Sequence, residues 1–321
     1  MKFLLILLLL ICCSFECYSK SFAFGSCLHQ KKSQEILNSI YEKKPDKIIF
    51  LGDNVYGDTN DGIQNLKEAY GILRENLNDF KNHQFLSIWD DHDYGLNDGG
   101  DSFVYKKESK ELFLKFWNIP STDPRWIRDG IYFDYEEMIK GNKVHFIFLD
   151  TRYNRSKLKK DYINPKKKYV SDFDESKTFL GDSQWLWLEK AIKKKVDLRF
   201  IVSSIQIIPE DHGFEKWSNF PNEKNKLFRL IKNHNNTYFL SGDRHISSIY
   251  KEDFGGSVFF EFTSSGLNMA WKDNNEKDSK QIIKTINTNN FGLIEFSKES
   301  FKISYFNEEG KVISENYFYI E

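Results

Sequence analysis

The chain has little cysteine, no surplus of either charge and no long apolar run, and each shortage excludes something. Four cysteines occur in 321 residues, and three of them (Cys12, Cys13, Cys17) lie close to the N-terminus. With that segment removed Cys27 stands alone, so the mature chain has no internal disulfide to stabilise it. Lys and Arg number 46 against 47 Asp and Glu, a net charge of −1. That balance excludes a nucleic-acid or membrane partner recruited by bulk charge. The apolar run Phe3 to Ile11 falls short of the roughly 20 residues of a membrane-spanning helix. No repeat period is visible, and no low-complexity tract beyond short Lys and Asn runs.

Aromatic residues, by contrast, make up 16% of the chain, with 29 Phe, which calls for a substantial packed core. The length suits one large α/β domain or two small ones. Lys2, the apolar run and Cys17-Tyr18-Ser19 read as an export signal cleaved before Lys20. This divides the chain into a leader, 1–19, and one domain, 20–321, that is secreted or periplasmic. Leu10-Ile11-Cys12-Cys13 offers a second reading, a lipoprotein anchored at Cys13.

The stretch that organises the rest is KIIFLGDNVYGD, Lys47 to Asp58. Its four apolar residues lack alternation and are too β-branched and too few for a helix, so they predict a strand buried on both faces. Gly52 permits a tight turn. Asp53, Tyr56 and Asp58 then fall at the carboxyl end of a strand, where open α/β sheets hold their ligands. The same design recurs. Strands are predicted at 21–27, 84–89, 143–150, 198–208 and 237–240, ending in or followed by Cys27, Asp91-His92, Asp150-Thr151-Arg152, Gln206 and Asp243-Arg244-His245. Helices are predicted at 31–44, 66–80, 109–117, 183–194 and 223–234, and further strands at 130–135, 257–262, 291–296, 301–306 and 311–319. The Lys-rich segment 154–174 reads as a long surface loop.

The text FGSC (24–27), GDNVYGD (52–58), WDDHDYG (89–95), LDTR (149–152), LGDSQWLWL (180–188), SSIQ (203–206) and SGDRH (241–245) resembles the PhoD-like alkaline phosphatases of the metallophosphatase superfamily. The resemblance implies an α/β/β/α sandwich of two mixed sheets flanked by helices. It implies a dinuclear metal site in which Asp53 bridges the ions. Cys27, Tyr56 and His245 would complete one side; Asp91, Asp243 and Gln206 the other. Thiolate, phenolate and imidazole suit iron, and carboxylates with an amide suit calcium. A hydroxide bridging the metals would attack the phosphorus of a small phosphoester, mono- or diester. His92 is the candidate donor of a hydrogen bond to the phosphate or of a proton to the leaving oxygen or, alternatively, a supporting histidine oriented by Asp93, and Arg152 the candidate phosphate clamp or, alternatively, the partner of Asp150. His212 and Trp217 are placed at the substrate mouth, and Arg244 is given a structural role. Two alternatives stand beside this reading: a phospholipase- or nucleotide-directed phosphodiesterase, and a catalytically silent phosphate-binding protein on the same scaffold.

Overall fold

The computed structural model describes residues 20–59, 61–80, 83–164, 166–274 and 276–321. The leader, its cleavage site and the lipidation reading at Cys13 lie outside the described residues. The elements run β1 (Ser21–Gly25), α1 (Glu35–Glu42), β2 (Lys47–Leu51), α2 (Gln64–Asn76), β3 (Gln84–Ile88), α3 (Asp91–Tyr94), α4 (Lys106–Phe116), β4 (Phe133–Ile139) and β5 (Asn142–Phe148). They continue with α5 (Asp182–Ile192), β6 (Leu198–Val202), α6 (Pro221–Ile231), β7 (Thr237–Ser241), β8 (Ser248–Phe254), β9 (Ser257–Thr263), β10 (Asn290–Phe296), β11 (Ser300–Asn307) and β12 (Val312–Tyr319).

Among the described residues two six-stranded mixed sheets form, ordered β12-β11-β10-β1-β2-β3 and β4-β5-β6-β7-β9-β8. In the first, β1, β2 and β3 are parallel; in the second, β5, β6, β7 and β9 are. The apolar runs of these strands follow from burial on both faces. In β5, Val144, Phe146 and Phe148 pack toward the first sheet, while Ile147 joins Leu149 in the core under α5 and α6. Phe200 and Phe239 divide in the same way between the two cores. Rings interlock across the sheets, with Phe22 stacked on Phe146 at 5.3 Å and Phe200 edge-on to Phe301 at 5.3 Å. Helices α1, α2 and α4 cover the outside of the first sheet through Ile36, Leu73 and Phe113. Helices α5 and α6 cover the second through Leu188 and Leu227. The predicted fold class is the observed one.

Three differences from the sequence reading have physical causes. Strand β8 was not predicted. Only its first half is buried, and the Gly255-Gly256 turn, with φ of 60° and 85°, is what pairs it to β9. The strand predicted over 198–208 ends at Val202: Ser203 Oγ donates to the Ile205 carbonyl within the turn, and the Ile207 and Ile208 N–H groups donate to Glu261. Trp217 does not line a mouth. It is fully buried, stacks on Phe179 at 4.4 Å and donates from Nε1 to Ser203 Oγ at 3.1 Å.

Candidate metal centre

Adjacent parallel strands end at the same edge, and there the two sheets meet. Ser26 forms a parallel bridge with Ser265, and Gly242 packs so closely that a Cβ would stand 2.5 Å from Ser26 Oγ. The loops after β1, β2, β3 and β7 therefore converge. Their backbones are distorted to do so. Cys27, Asp53, Asp243 and His245 all occupy the left-handed region, with φ of 62°, 49°, 67° and 55°, a conformation that costs non-glycine residues free energy and gathers at functional sites. Gly52 has φ of 103° and faces Asp90 Cβ, where any side chain would clash.

Asp53 is common to the groups formed there. One ligand atom each from Cys27, Asp53 and His245 lie within 4.8 Å of one another, and so do those of Asp53, Asp90, Asp91 and Asp243. Cys27 Sγ is 3.5 Å and Tyr56 Oη 3.4 Å from Asp53 Oδ2. His245 Nδ1 sits 2.6 Å from the Met269 carbonyl, which fixes the proton on Nδ1 and leaves Nε2 as the free lone pair, the usual arrangement behind a metal-binding imidazole. Burial lowers the His245 pKa and so favours the neutral ring.

The same burial penalises the acids. It pushes Asp53 and Asp243 well above the usual carboxylate range, and neighbouring carboxylates add to the effect. It also raises the Cys27 thiol, with Asp53 contributing. Asp91 Oδ1, Asp90 Oδ2 and Gln206 Oε1 are buried acceptors without a hydrogen-bond donor. The unpartnered Asp90 and Asp91 oxygens, grouped through Asp53 with one thiol and one imidazole lone pair, fit cations, which would satisfy the acceptors and stabilise the ionised forms.

The remaining predicted residues fall as follows. His92 Nδ1 lies 2.5 Å from Asp58 Oδ2, so the orienting acid is Asp58 and not Asp93. The Asp93 carboxylate instead receives the backbone N–H groups of Asp90 and Asp53 and ties the loops together. Burial would lower the His92 pKa, but Asp91, Asp53 and Asp58 outweigh it and hold it up at about 11. Tyr56 is flanked by His92 at 4.3 Å and by His29 at 5.0 Å. Gln206 is buried, and its Nε2 donates to Thr263 Oγ1 at 2.9 Å. His212 is buried in the loop after Gln206, its Nδ1 accepting from the Phe214 N–H. Arg244 pairs with Glu276 at 2.6 Å.

Arg152 lies beneath the acids and is fully buried. Its Nε donates to Asp90 Oδ1 at 2.5 Å and its Nη1 to Glu215 Oε2 at 2.6 Å. Asp150 accepts the Arg152 backbone N–H and caps the turn. Glu215 also pairs with Arg155 at 2.7 Å, and Ser204 Oγ donates to Asp90 Oδ1 at 2.6 Å. Sequence reasoning named Asp58 only as one of the residues at a strand end and assigned no role to Asp90 or Glu215. Asp58 and Asp90 lay within motifs already singled out; nothing in the sequence marks Glu215.

The two mixed sheets with flanking helices form a metallophosphatase-type fold, with an acidic, cation-suited site at the strand ends. The sequence profile of the PhoD-like phosphatases matches residues 120–313, and the chain belongs to that family. A solved structure of PhoD superposes with a TM-score of 0.74 at 18% identity, over 93% of this chain and 68% of that one. GAP50, described as the anchor in the inner membrane complex of Plasmodium, gives 0.63 at 16% identity, over 94% and 89%. Purple acid phosphatase PPD1 from yellow lupin (Lupinus luteus) seeds gives 0.65 at 9% identity, over 93% of this chain and 53% of that one. These likenesses establish a shared fold. Comparison with curated proteins gives no match.

Proposed function

We propose that the chain is an exported hydrolase of phosphoric mono- and diesters that works with two metal ions, iron and calcium. The observation that carries this reading is the position of Asp53, a member both of the Cys27–His245 group and of the Asp90–Asp91–Asp243 group. Cys27, Tyr56, His245 and Asp53 would hold the first ion. Asp53, Asp91, Asp243 and the free Oε1 of Gln206 would hold the second. Such a pair supplies Lewis acidity toward the phosphoryl oxygens and an acidified water.

The protein's own groups do the rest. With Asp58 accepting from Nδ1, the imidazole of His92 is fixed in orientation and its Nε2 is free to pass a proton to the departing oxygen, a role that contributes about 10²–10⁴-fold. Tyr56 packs on that ring and restricts its rotation. Arg152 holds Asp90 in place from below, so its part is to position the acidic wall; its guanidinium is already engaged by Asp90 and Glu215. The Gly52 turn and the left-handed ligand residues preset the loops, so little ordering is needed when substrate arrives.

The test is chelator-sensitive release of nitrophenol from mono- and bis-nitrophenyl phosphate, with metal analysis of the native protein. Asp53→Asn is expected to lose metal and turnover together. Full metal content with no turnover on either ester would overturn the hydrolase reading in favour of a binding protein.

A further inference from the structure

The Lys-rich segment is not a loose loop. Asp161 N donates to Lys168 O at 3.1 Å and Val170 N to Lys159 O at 3.0 Å, with Lys160 paired antiparallel to Tyr169. These bonds make a short hairpin. Its turn is built by Asp161, whose Oδ1 accepts the N–H groups of Ile163 and Asn164 at 2.8 and 2.9 Å. That turn holds two large apolar side chains out in water: Tyr162 is 89% exposed and Ile163 94%. Around them, residues 157–170 carry six lysines against one aspartate, in a chain whose net charge is only −1. All six lysines are exposed.

The base of the hairpin is fixed. Leu158 and Tyr169 are buried in the core under α5 and α6, and Lys168 and Tyr169 donate from their backbones to Gly213 O. Tyr169 Oη bonds Asp98 Oδ2 at 2.8 Å, Lys168 pairs with the same carboxylate, and Asp98 N donates to Asp91 Oδ2 at 2.6 Å. One chain of contacts thus joins the hairpin to the rim of the metal centre.

We propose that this hairpin docks the protein on an anionic lipid surface, Tyr162 and Ile163 entering the headgroup boundary and the lysines contacting acidic headgroups. An apolar tip with a basic collar matches such an interface on both counts: the side chains gain by leaving water, and each lysine gains by approaching lipid phosphate. A nucleic acid would use the lysines and could stack on Tyr162, but it offers nothing to the aliphatic Ile163. Attraction decays within about 8 Å at physiological salt, so a local collar acts despite the near-neutral chain. Docking would bring the metal centre close to a layer rich in ester-linked phosphate, because Tyr169 and Asp98 join the hairpin base to Asp91. That last point rests on the hydrolase reading above; the docking does not.

The test is co-sedimentation of the full chain with vesicles of phosphatidylcholine, with or without phosphatidylglycerol. Oligothymidylate serves as a soluble polyanion. The wild type is expected to partition onto the anionic vesicles, less so as salt is raised. Tyr162→Ser/Ile163→Ser should weaken partition about tenfold or more, and Lys159→Glu/Lys166→Glu should weaken it comparably. Both variants alter exposed side chains and should melt as the wild type does. Absence of partition onto anionic vesicles overturns the proposal. So does a tip variant that partitions like the wild type, or tight oligothymidylate binding that the tip variant retains, which would assign the collar to a soluble polyanion.

Discussion

Arg152→Met separates the two things this arginine could do. The side chain is fully buried between Asp90 and Glu215, at 2.5 and 2.6 Å. Burial alone raises the pKa of both acids, and Arg152 is the first group that opposes it, leaving Glu215 still at about 7. Methionine fills similar space without the charge. Removing one partner from a buried pair leaves an uncompensated carboxylate and costs about 3–5 kcal/mol. Arg155 still reaches Glu215 Oε1, so the loss should fall at the lower end and act mainly through Asp90. For a domain of this size that is roughly 5–8 °C in Tm. Thermal unfolding of metal-free protein is the assay, because bound ions would partly neutralise Asp90 and mask the effect. Adding Asp90→Asn to Arg152→Met should recover part of the stability by removing the stranded charge. If Arg152→Met melts within about 1 kcal/mol of wild type yet loses most of its kcat/KM, the positioning argument fails and the guanidinium acts on substrate.

Asp58→Asn should keep the metal content of wild type and lower kcat about ten- to a hundredfold, since it loosens His92 without touching a ligand; loss of metal would show that His92 coordinates. Gly52→Ala should destabilise by at least about 2 kcal/mol, because φ is 103° and the new methyl would meet Asp90 Cβ at 2.6 Å; equilibrium unfolding in urea measures it, and an unchanged midpoint contradicts the packing. Glu261 is fully buried, and burial raises its pKa to about 7 even though the Ile207 and Ile208 N–H groups and Ser241 pull it down. The folded chain therefore keeps this proton while the unfolded chain has released it above about 4.5, so the stability it contributes is present at low pH and is lost as pH rises toward 7. In metal-free protein Glu261→Gln should remove that part of the slope, and parallel pH–stability curves for variant and wild type would refute it.

The sequence made the strand ends legible because a doubly buried strand has an unmistakable composition and the residue after it must turn. Ile48 to Leu51 followed by Gly52-Asp53, and Thr237 to Leu240 followed soon by Asp243 and His245, declare themselves in this way. The resemblance of the spaced motifs then placed Cys27, Asp53, Asp91, Asp243 and His245 in one pocket, and the fold brings them there. Asp90 was visible beside Asp91, but nothing in WDDHD says which acid pairs with an arginine and which is left without a partner. His92 was paired with its neighbour Asp93, whereas the actual partner, Asp58, comes from another loop.

What the chain determined by itself was the order of buried strands and the chemical kinds of donor at their ends, because hydrophobic periodicity and turn chemistry are local properties. Partnership was decided only in three dimensions. Glu215 under Arg152, the Met269 carbonyl behind His245 and Gly213 beneath the Lys159–Val170 hairpin are joined by contacts from distant parts of the sequence. Their energies depend on desolvation and direction, and neither exists until the two sheets have closed on each other.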